Sequence, residues 1–244
     1  MRIAEIFYSL QGEGKLTGVP SVFVRASGCN LRCTWCDTPY ASWNPEGPDL
    51  PLLDIVAQIL HHPADHVVLT GGEPMMFKEL VRLIEMLKAQ NKHITVETAG
   101  TLWLDNLPPQ SIDLASISPK LTNSTPWTRD NGRFAQIHEK HRLNLDVLRT
   151  LATGGGGVVK SRQWKFVLSS PTDLPEIESL LTALNASLAP EHRIPPTDIL
   201  LMPEATDPET LTARSRDLAP LCLQKNYRLS PRLHVHLWGN TKGT

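Results

Sequence analysis

The sequence predicts an α/β fold, a mostly parallel sheet closing toward a barrel, on three observations. Short apolar or β-branched runs alternate with amphipathic helical runs, the order in which parallel sheets are wound. Polar or glycine-containing clusters fall just after several of those runs, where a parallel barrel gathers its chemistry on one rim. At 244 residues the chain has the length for one large barrel.

The opening segment Arg2–Ser9 reads as an extra strand covering the barrel edge. Strands follow at Ser21–Ala26, His66–Thr70, His93–Glu97, Ile112–Ser118, Trp164–Leu168, Asp198–Met202 and Leu233–Leu237. Phe77, Leu80, Val81, Ile84 and Leu87 recur at helical spacing, as do Leu174, Ile177, Leu180, Leu181, Leu184 and Leu188. Asp54–His62 and Asn144–Leu151 read as shorter helices, and Asp207–Cys222 as a further one. Pro45–Pro51 and the proline-broken Thr122–Arg133 are loops, and Gly154–Gly157 is a flexible connector without the lysine of a phosphate loop. With no boundary in composition, residues 1–244 are expected to form one unit.

Composition narrows the function. With 41% hydrophobic and 20% charged residues, a sizeable core can form, and a net charge of −1 offers no basic surplus for nucleic acid. No apolar run approaches the ~20 residues of a membrane span, and no signal-peptide core is visible, so a cytoplasmic location is expected. Only four cysteines occur, three of them within eight residues. That spacing suits metal or redox work in a reducing compartment better than a disulfide framework.

Those three, Cys29, Cys33 and Cys36, are the residues on which the functional reading turns. Three thiolates can hold three irons of a cubic cluster and leave the fourth iron open to a ligand. Other chemistries remain open on the motif alone. A zinc site needs a fourth ligand, such as a histidine or Cys222; a thioredoxin-type Cys33–Cys36 pair leaves Cys29 unexplained; buried structural thiols are a third option.

Cys29-x3-Cys33-x2-Cys36 resembles the signature of the radical S-adenosylmethionine superfamily, and Gly71-Gly72-Glu73-Pro74 resembles its segment that receives the methionyl amino group. Asp37 stands where the superfamily often has an aromatic residue, although Trp35 immediately precedes Cys36. The resemblance implies a partial (β/α)6 TIM-like barrel whose N- and C-terminal extensions close the site. It also implies a [4Fe–4S] cluster on the three cysteines and S-adenosylmethionine chelated to the open iron. Reductive cleavage of that cosubstrate then yields a 5′-deoxyadenosyl radical.

Further runs narrow the family. Phe7-Tyr8-Ser9-Leu10-Gln11-Gly12-Glu13-Gly14, Trp35-Cys36-Asp37-Thr38, Val96-Glu97-Thr98-Ala99-Gly100-Thr101, Ile117-Ser118-Pro119-Lys120 and the tail Leu233–Asn240 resemble the 7-carboxy-7-deazaguanine synthase family. This implies a lyase of queuosine and deazapurine biosynthesis. It contracts the ring of 6-carboxy-5,6,7,8-tetrahydropterin to 7-carboxy-7-deazaguanine with loss of ammonia, using Mg2+.

By the same resemblance Leu10, Gln11, Gly12, Arg25 and Thr70 meet the substrate, with Arg25 clamping its carboxylate. Trp35, Cys36, Asp37, Gly72, Glu73, Glu97, Ser118, Pro119 and Lys120 meet the cosubstrate, and Glu73 offers an acceptor to its ammonium group. Thr38 binds Mg2+. No catalytic group beyond cluster and cosubstrate is implied. The partners implied are a flavodoxin or ferredoxin as electron donor and a second copy in a homodimer.

Lys165 has no settled role, and Met202 precedes Pro203 where the family often has a glutamine, a change that a backbone contact would survive and a side-chain amide contact would not. His234 and His236 share one face at strand spacing, which suits packing near the C-terminal substrate edge or a dimer interface better than a metal pair. Cys222 is expected to be a buried thiol, and the region about 121–162, where family members modify their helices, carries no readable motif. Two other functions compete: an activase that installs a radical on a partner protein, since such enzymes share the Gln-Gly-Glu-Gly run, and a zinc-stabilised binding module.

Overall fold

The computed structural model describes residues 1–244. Eight strands form one sheet in sequential order: β1 (Ile3–Leu10), β2 (Pro20–Ala26), β3 (His66–Gly71), β4 (His93–Thr98), β5 (Ile112–Ile117), β6 (Val159–Leu168), β7 (Ile199–Pro203) and β8 (Arg228–Leu229). Strand β1 runs antiparallel to β2; every later pairing is parallel. The sheet stays open between β1 and β8, so the barrel is partial, as expected.

Helices α1 (Leu52–Leu60), α2 (Glu79–Ala89), α3 (Ala135–His141), α4 (Leu145–Ala152), α5 (Leu174–Ala186) and α6 (Pro208–Lys225) fill the crossovers, and α7 (Leu233–Trp238) ends the chain. Asn144 and Asp207, outside α4 and α6, cap them by accepting from the Val147 and Thr210 amides. The β4–β5 crossover carries no helix, whereas β5–β6 carries two. No helix is long and apolar enough to cross a membrane.

The alternation of side chains along each strand decides where the site lies. Val22 and Val24, Val67 and Leu69, Ile94 and Val96, Ala115 and Ile117, Trp164 and Phe166, and Ile199 and Leu201 all point toward the helices. There they join one core cluster of forty buried apolar residues. Helix α2 alone contributes Leu80, Leu83, Ile84 and Leu87, all fully buried, each stabilising the fold by about 1.5–3 kcal/mol. The residues between them in the strands face the barrel interior, and many are polar: Arg25, Thr70, Glu97, Ser116 and Lys165 line one cavity. Registers Arg25↔Thr70 and Glu97↔Ser116 bring those side chains to similar heights.

Three sequence expectations need correction. Leu233–Leu237 is helical, not a strand: its Leu-His-Val-His-Leu alternation imitates a strand, but only Val235 is buried, against Ala205 and Leu211. The two-residue β8 takes the sheet edge instead. Helix α3 shows no sequence signal, because it buries only Ala135 and His138, too little for an apolar period. Strand β6 begins at Val159, five residues before the expected Trp164, through the polar run Lys160–Arg162.

Candidate active site

The strand ends converge on a cavity of about 460 Å³. Its wall contains the three cysteines, Leu10, Gln11, Gly12, Arg25, Trp35, Asp37, Thr38, Thr70, Gly72, Glu97, Ser118 and Lys120. Lys165, Met202, His234 and the tail Asn240–Thr244 line it as well. Residues from Glu5 to Thr244 therefore share one chamber, as the rim argument predicts.

The cysteine loop leaves β2 at Ala26 and is held down at once by β3. The Gly72 amide donates to the Ala26 carbonyl at 3.1 Å and the Glu73 amide to the Gly28 carbonyl at 2.8 Å. A Cβ on Gly72 would stand 2.1 Å from the Gly28 oxygen, so only glycine permits this approach. Burial, the largest influence, pushes the Cys29 and Cys33 thiols up to about 12. The Leu31 amide donates to Cys29 Sγ at 3.3 Å, and Cys36 Sγ lies 3.1 Å from the Ser42 hydroxyl.

Two hydrogen-bonded groups line the same cavity as the thiols. Gln11 Nε2 donates to Glu97 Oε1 at 3.2 Å and Thr70 Oγ1 donates to Glu97 Oε2 at 2.8 Å. Glu97, expected among the cosubstrate contacts, thus shares bonds with two residues expected on the substrate side. Arg25 Nε donates to Glu5 at 2.6 Å, and the Tyr40 hydroxyl donates to the same oxygen at 2.7 Å. The two terminal nitrogens of Arg25 take no protein acceptor.

A buried network of two carboxylates and two cations completes the wall. Lys165 pairs with Glu13, and Arg232 pairs with both Glu13 and Asp37 and donates to the Ala205 carbonyl. Burial pushes Glu13 and Asp37 upward, but Lys165 and Arg232 for Glu13, and chiefly Arg232 for Asp37, outweigh it and hold both below the usual carboxylate range. Lys165, without a settled role from sequence, is held protonated by Glu13 despite its burial. Arg232 and Glu13 were not singled out, because only folding joins them. His234 packs on Gly12, where a Cβ would sit 2.0 Å from its Nδ1, whereas His236 is exposed. Two residues apart on a helix, these histidines share no face.

Two expected residues do not reach the cavity. The Glu73 carboxylate is fully buried and takes three donors: the Thr98 hydroxyl at 2.9 Å and the Ala99 and Met75 amides at 2.8 and 3.1 Å. It braces the ends of β3 and β4, and its full burial closes it to an ammonium group in the cavity. Pro119 is also absent from the wall, and Glu204 pairs with Arg214. Cys222 lies in the apolar core, far from any role as a fourth thiolate.

The donor set fits a cubic iron–sulfur cluster. Three soft sulfurs line one cavity, with an amide and a hydroxyl beside two of them, and the thiols would surrender their protons to iron. No three His, Cys, Asp or Glu side chains close on a single point, as one ion held by protein alone requires.

Comparison with known proteins agrees with this chemistry. The radical SAM superfamily model matches residues 23–153. A 7-carboxy-7-deazaguanine synthase of Halobacterium salinarum is 46% identical over 247 residues, covering 99% of this chain and 92% of that one. The synthase of Rhodopirellula baltica is 40% identical over 242 residues, covering 99% and 88%. The crystal structure of QueE from Escherichia coli matches with a TM-score of 0.67 at 25% identity, covering 96% of this chain and 94% of that one. On its strand-end chamber, its three cysteines and these full-length likenesses, the chain belongs to the 7-carboxy-7-deazaguanine synthase family of radical SAM enzymes.

Proposed function

We propose that this enzyme converts 6-carboxy-5,6,7,8-tetrahydropterin to 7-carboxy-7-deazaguanine with loss of ammonia, a step of queuosine and deazapurine biosynthesis. One observation carries the reading: the three thiols share a cavity with a carboxylate, Glu97, that is flanked by amide and hydroxyl donors and paired with no cation. Such an acceptor suits the N–H groups on the amino-pyrimidine edge of a pterin. Bound to Cys29, Cys33 and Cys36, the cluster with S-adenosylmethionine supplies the species that removes a hydrogen atom from substrate.

The chain's own residues hold, orient and enclose. Gln11 fixes the Glu97 carboxylate while its other polar atom accepts from the Glu13 amide at 3.1 Å, which ties the loop after β1 to that reader. Arg25, already oriented by Glu5, has its terminal nitrogens free to take the substrate carboxylate as a fork. Leu10, Gly12 and Thr70 pack beside it. Thr38 supplies an oxygen donor of the kind Mg2+ takes, beside that carboxylate. Trp35, Asp37, Gly72, Ser118 and Lys120 surround the cosubstrate, with Pro119 shaping their turn. Lys120 Nζ donates to the Ser118 hydroxyl at 2.9 Å and lies 5.7 Å from the Trp35 ring centre, a placement suited to a carboxylate. The C-terminal tail excludes water from the mouth.

A flavodoxin- or ferredoxin-type donor supplies the electron, and the enzyme works as a cytoplasmic homodimer; the family resemblance supports both. The test is an anaerobic assay with dithionite, S-adenosylmethionine, Mg2+ and the carboxytetrahydropterin. Formation of the deazaguanine supports the reading. Cosubstrate cleavage on a full cluster without that product rejects the substrate and leaves the superfamily standing.

A further inference from the structure

Between its cysteines the loop has almost no regular structure, so its backbone polar groups need partners from elsewhere. Trp43 and the Arg32 side chain serve the Cys33, Cys29 and Leu31 carbonyls, and the remaining partners lie on the segment after β5, where the sequence carries no readable motif. The Arg32 amide donates to Nδ1 of His138 at 3.1 Å, and the Thr34 amide donates to the Ser124 carbonyl at 2.8 Å. Arg129 Nη1 donates to the Thr34 carbonyl at 2.7 Å. One amide before Cys33 and one after it are thus both held from outside the loop.

The geometry at His138 allows one arrangement. An amide can only donate, so Nδ1 is the acceptor and the ring proton sits on Nε2. Nε2–H then donates to Ser124 Oγ at 2.9 Å, and that hydroxyl donates onward to the Leu121 carbonyl at 2.6 Å. The ring is 1% exposed, and burial pushes it down to about 4, which keeps it neutral. Helix α3 is pinned in turn: Arg142, which is buried, bonds Glu139, Glu176 and the Lys120 carbonyl. The path from barrel wall to cysteine loop is continuous.

We propose that His138 is a positioning residue for the iron–sulfur cluster, fixing the backbone between Cys29 and Cys33 through the Arg32 amide while Ser124 and Arg129 fix the stretch before Cys36. This rests on the reading of the three thiols as cluster ligands. The brace sets the sulfur spacing before iron arrives and resists its loss afterward.

The test uses the full chain, reconstituted anaerobically, with three variants: His138→Leu, His138→Asn and Arg129→Ala. The readouts are the rate of iron release to a ferrous chelator, the EPR spectrum of the dithionite-reduced cluster, and thermal melting by circular dichroism. His138→Leu should release iron about tenfold faster or more, with an altered EPR line shape. His138→Asn, whose Oδ1 can replace Nδ1 as acceptor, should recover most of the parental rate. Equal losses in Asn and Leu variants would show a packing role and overturn the proposal, as would parental rates and spectra in both.

Should His138→Leu fail to fold, the half-buried Arg129→Ala decides: several-fold faster iron release supports the brace, and the parental rate overturns it. A parental protein that binds zinc and no sulfide refutes the cluster reading, and this proposal with it. A parent that loads iron and sulfide beside indifferent variants refutes the brace alone.

Discussion

The guanidinium of Arg232 donates from Nε to the carboxylate of Glu13 at 3.0 Å, joining residues 219 positions apart. Its Nη2 reaches Asp37, beside the last cysteine, so one side chain ties the N-terminal loop to the cysteine loop from the C-terminal end. It is the latch of the chamber.

Removing that latch leaves the largely buried Glu13 carboxylate and the half-buried Asp37 carboxylate short of a partner. Arg232→Met, which keeps the stem and discards the charge, should cost about 3–5 kcal/mol of stability by urea titration. Arg232→Lys should recover only part, because an ammonium cannot reproduce the planar fork that meets Glu13 and Asp37 together. Adding Asp37→Asn to Arg232→Met should restore some stability; a purely additive double variant would show that the two do not interact.

For Glu97 the expected defect lies in the pterin. Glu97→Gln keeps the shape and loses the charge that strengthens its bonds, worth about 1.5–3 kcal/mol in a buried site. The substrate constant should rise by about 10- to 100-fold while S-adenosylmethionine affinity holds. The reverse split, measured by titrating each ligand separately, would move Glu97 to the cosubstrate side.

Glu73 should behave as a brace. Glu73→Gln places an amide where the Thr98, Ala99 and Met75 donors need acceptors, so it should destabilise by about 1–3 kcal/mol. Under folding conditions its S-adenosylmethionine affinity should change by less than about threefold. A loss of affinity at parental stability would return Glu73 to the ligand.

Acid should loosen the far end of the barrel. His66 lies between the Ser21 and Thr95 hydroxyls, at 2.6 and 2.8 Å, and burial, followed by the nearby His93, lowers it to about 4. Its folded value lies below the unfolded one near 6.5, so the unfolded chain binds the extra proton. Stability is therefore full above pH 6.5 and falls as pH drops from there toward 4, by up to about 1.4 kcal/mol per unit. Melting temperatures at pH 7 and 5 should differ less in His66→Asn than in the parent; an equal difference would clear His66 of the effect.

Much of this was legible in the chain itself. The order of strands and helices follows from apolar periodicity, because a helix or strand must bury one regular set of side chains wherever it ends up. The cysteine spacing and the residues after each strand could be assigned to one rim, because parallel connections leave every strand's carboxyl end on the same side. Of the expected site residues, those at strand ends reach the chamber, where the period of two leaves no freedom about which side chains face inward.

What folding alone decided is which polar groups satisfy one another. Glu73 turns inward because three donors meet it there, and none of the three is identifiable from a Gly-Gly-Glu-Pro run. Helix α3 shows no apolar face because the polar His138 is one of only two residues it buries, and α7 imitates a strand because its six residues bury only one side chain. Local sequence determined most of the helices and strands, α3 and α7 apart, and where the cysteines stand. The pairing of Glu13, Asp37, Lys165 and Arg232 awaited the tertiary structure, since a buried charge selects its partner by distance in space, to which sequence separation is no guide.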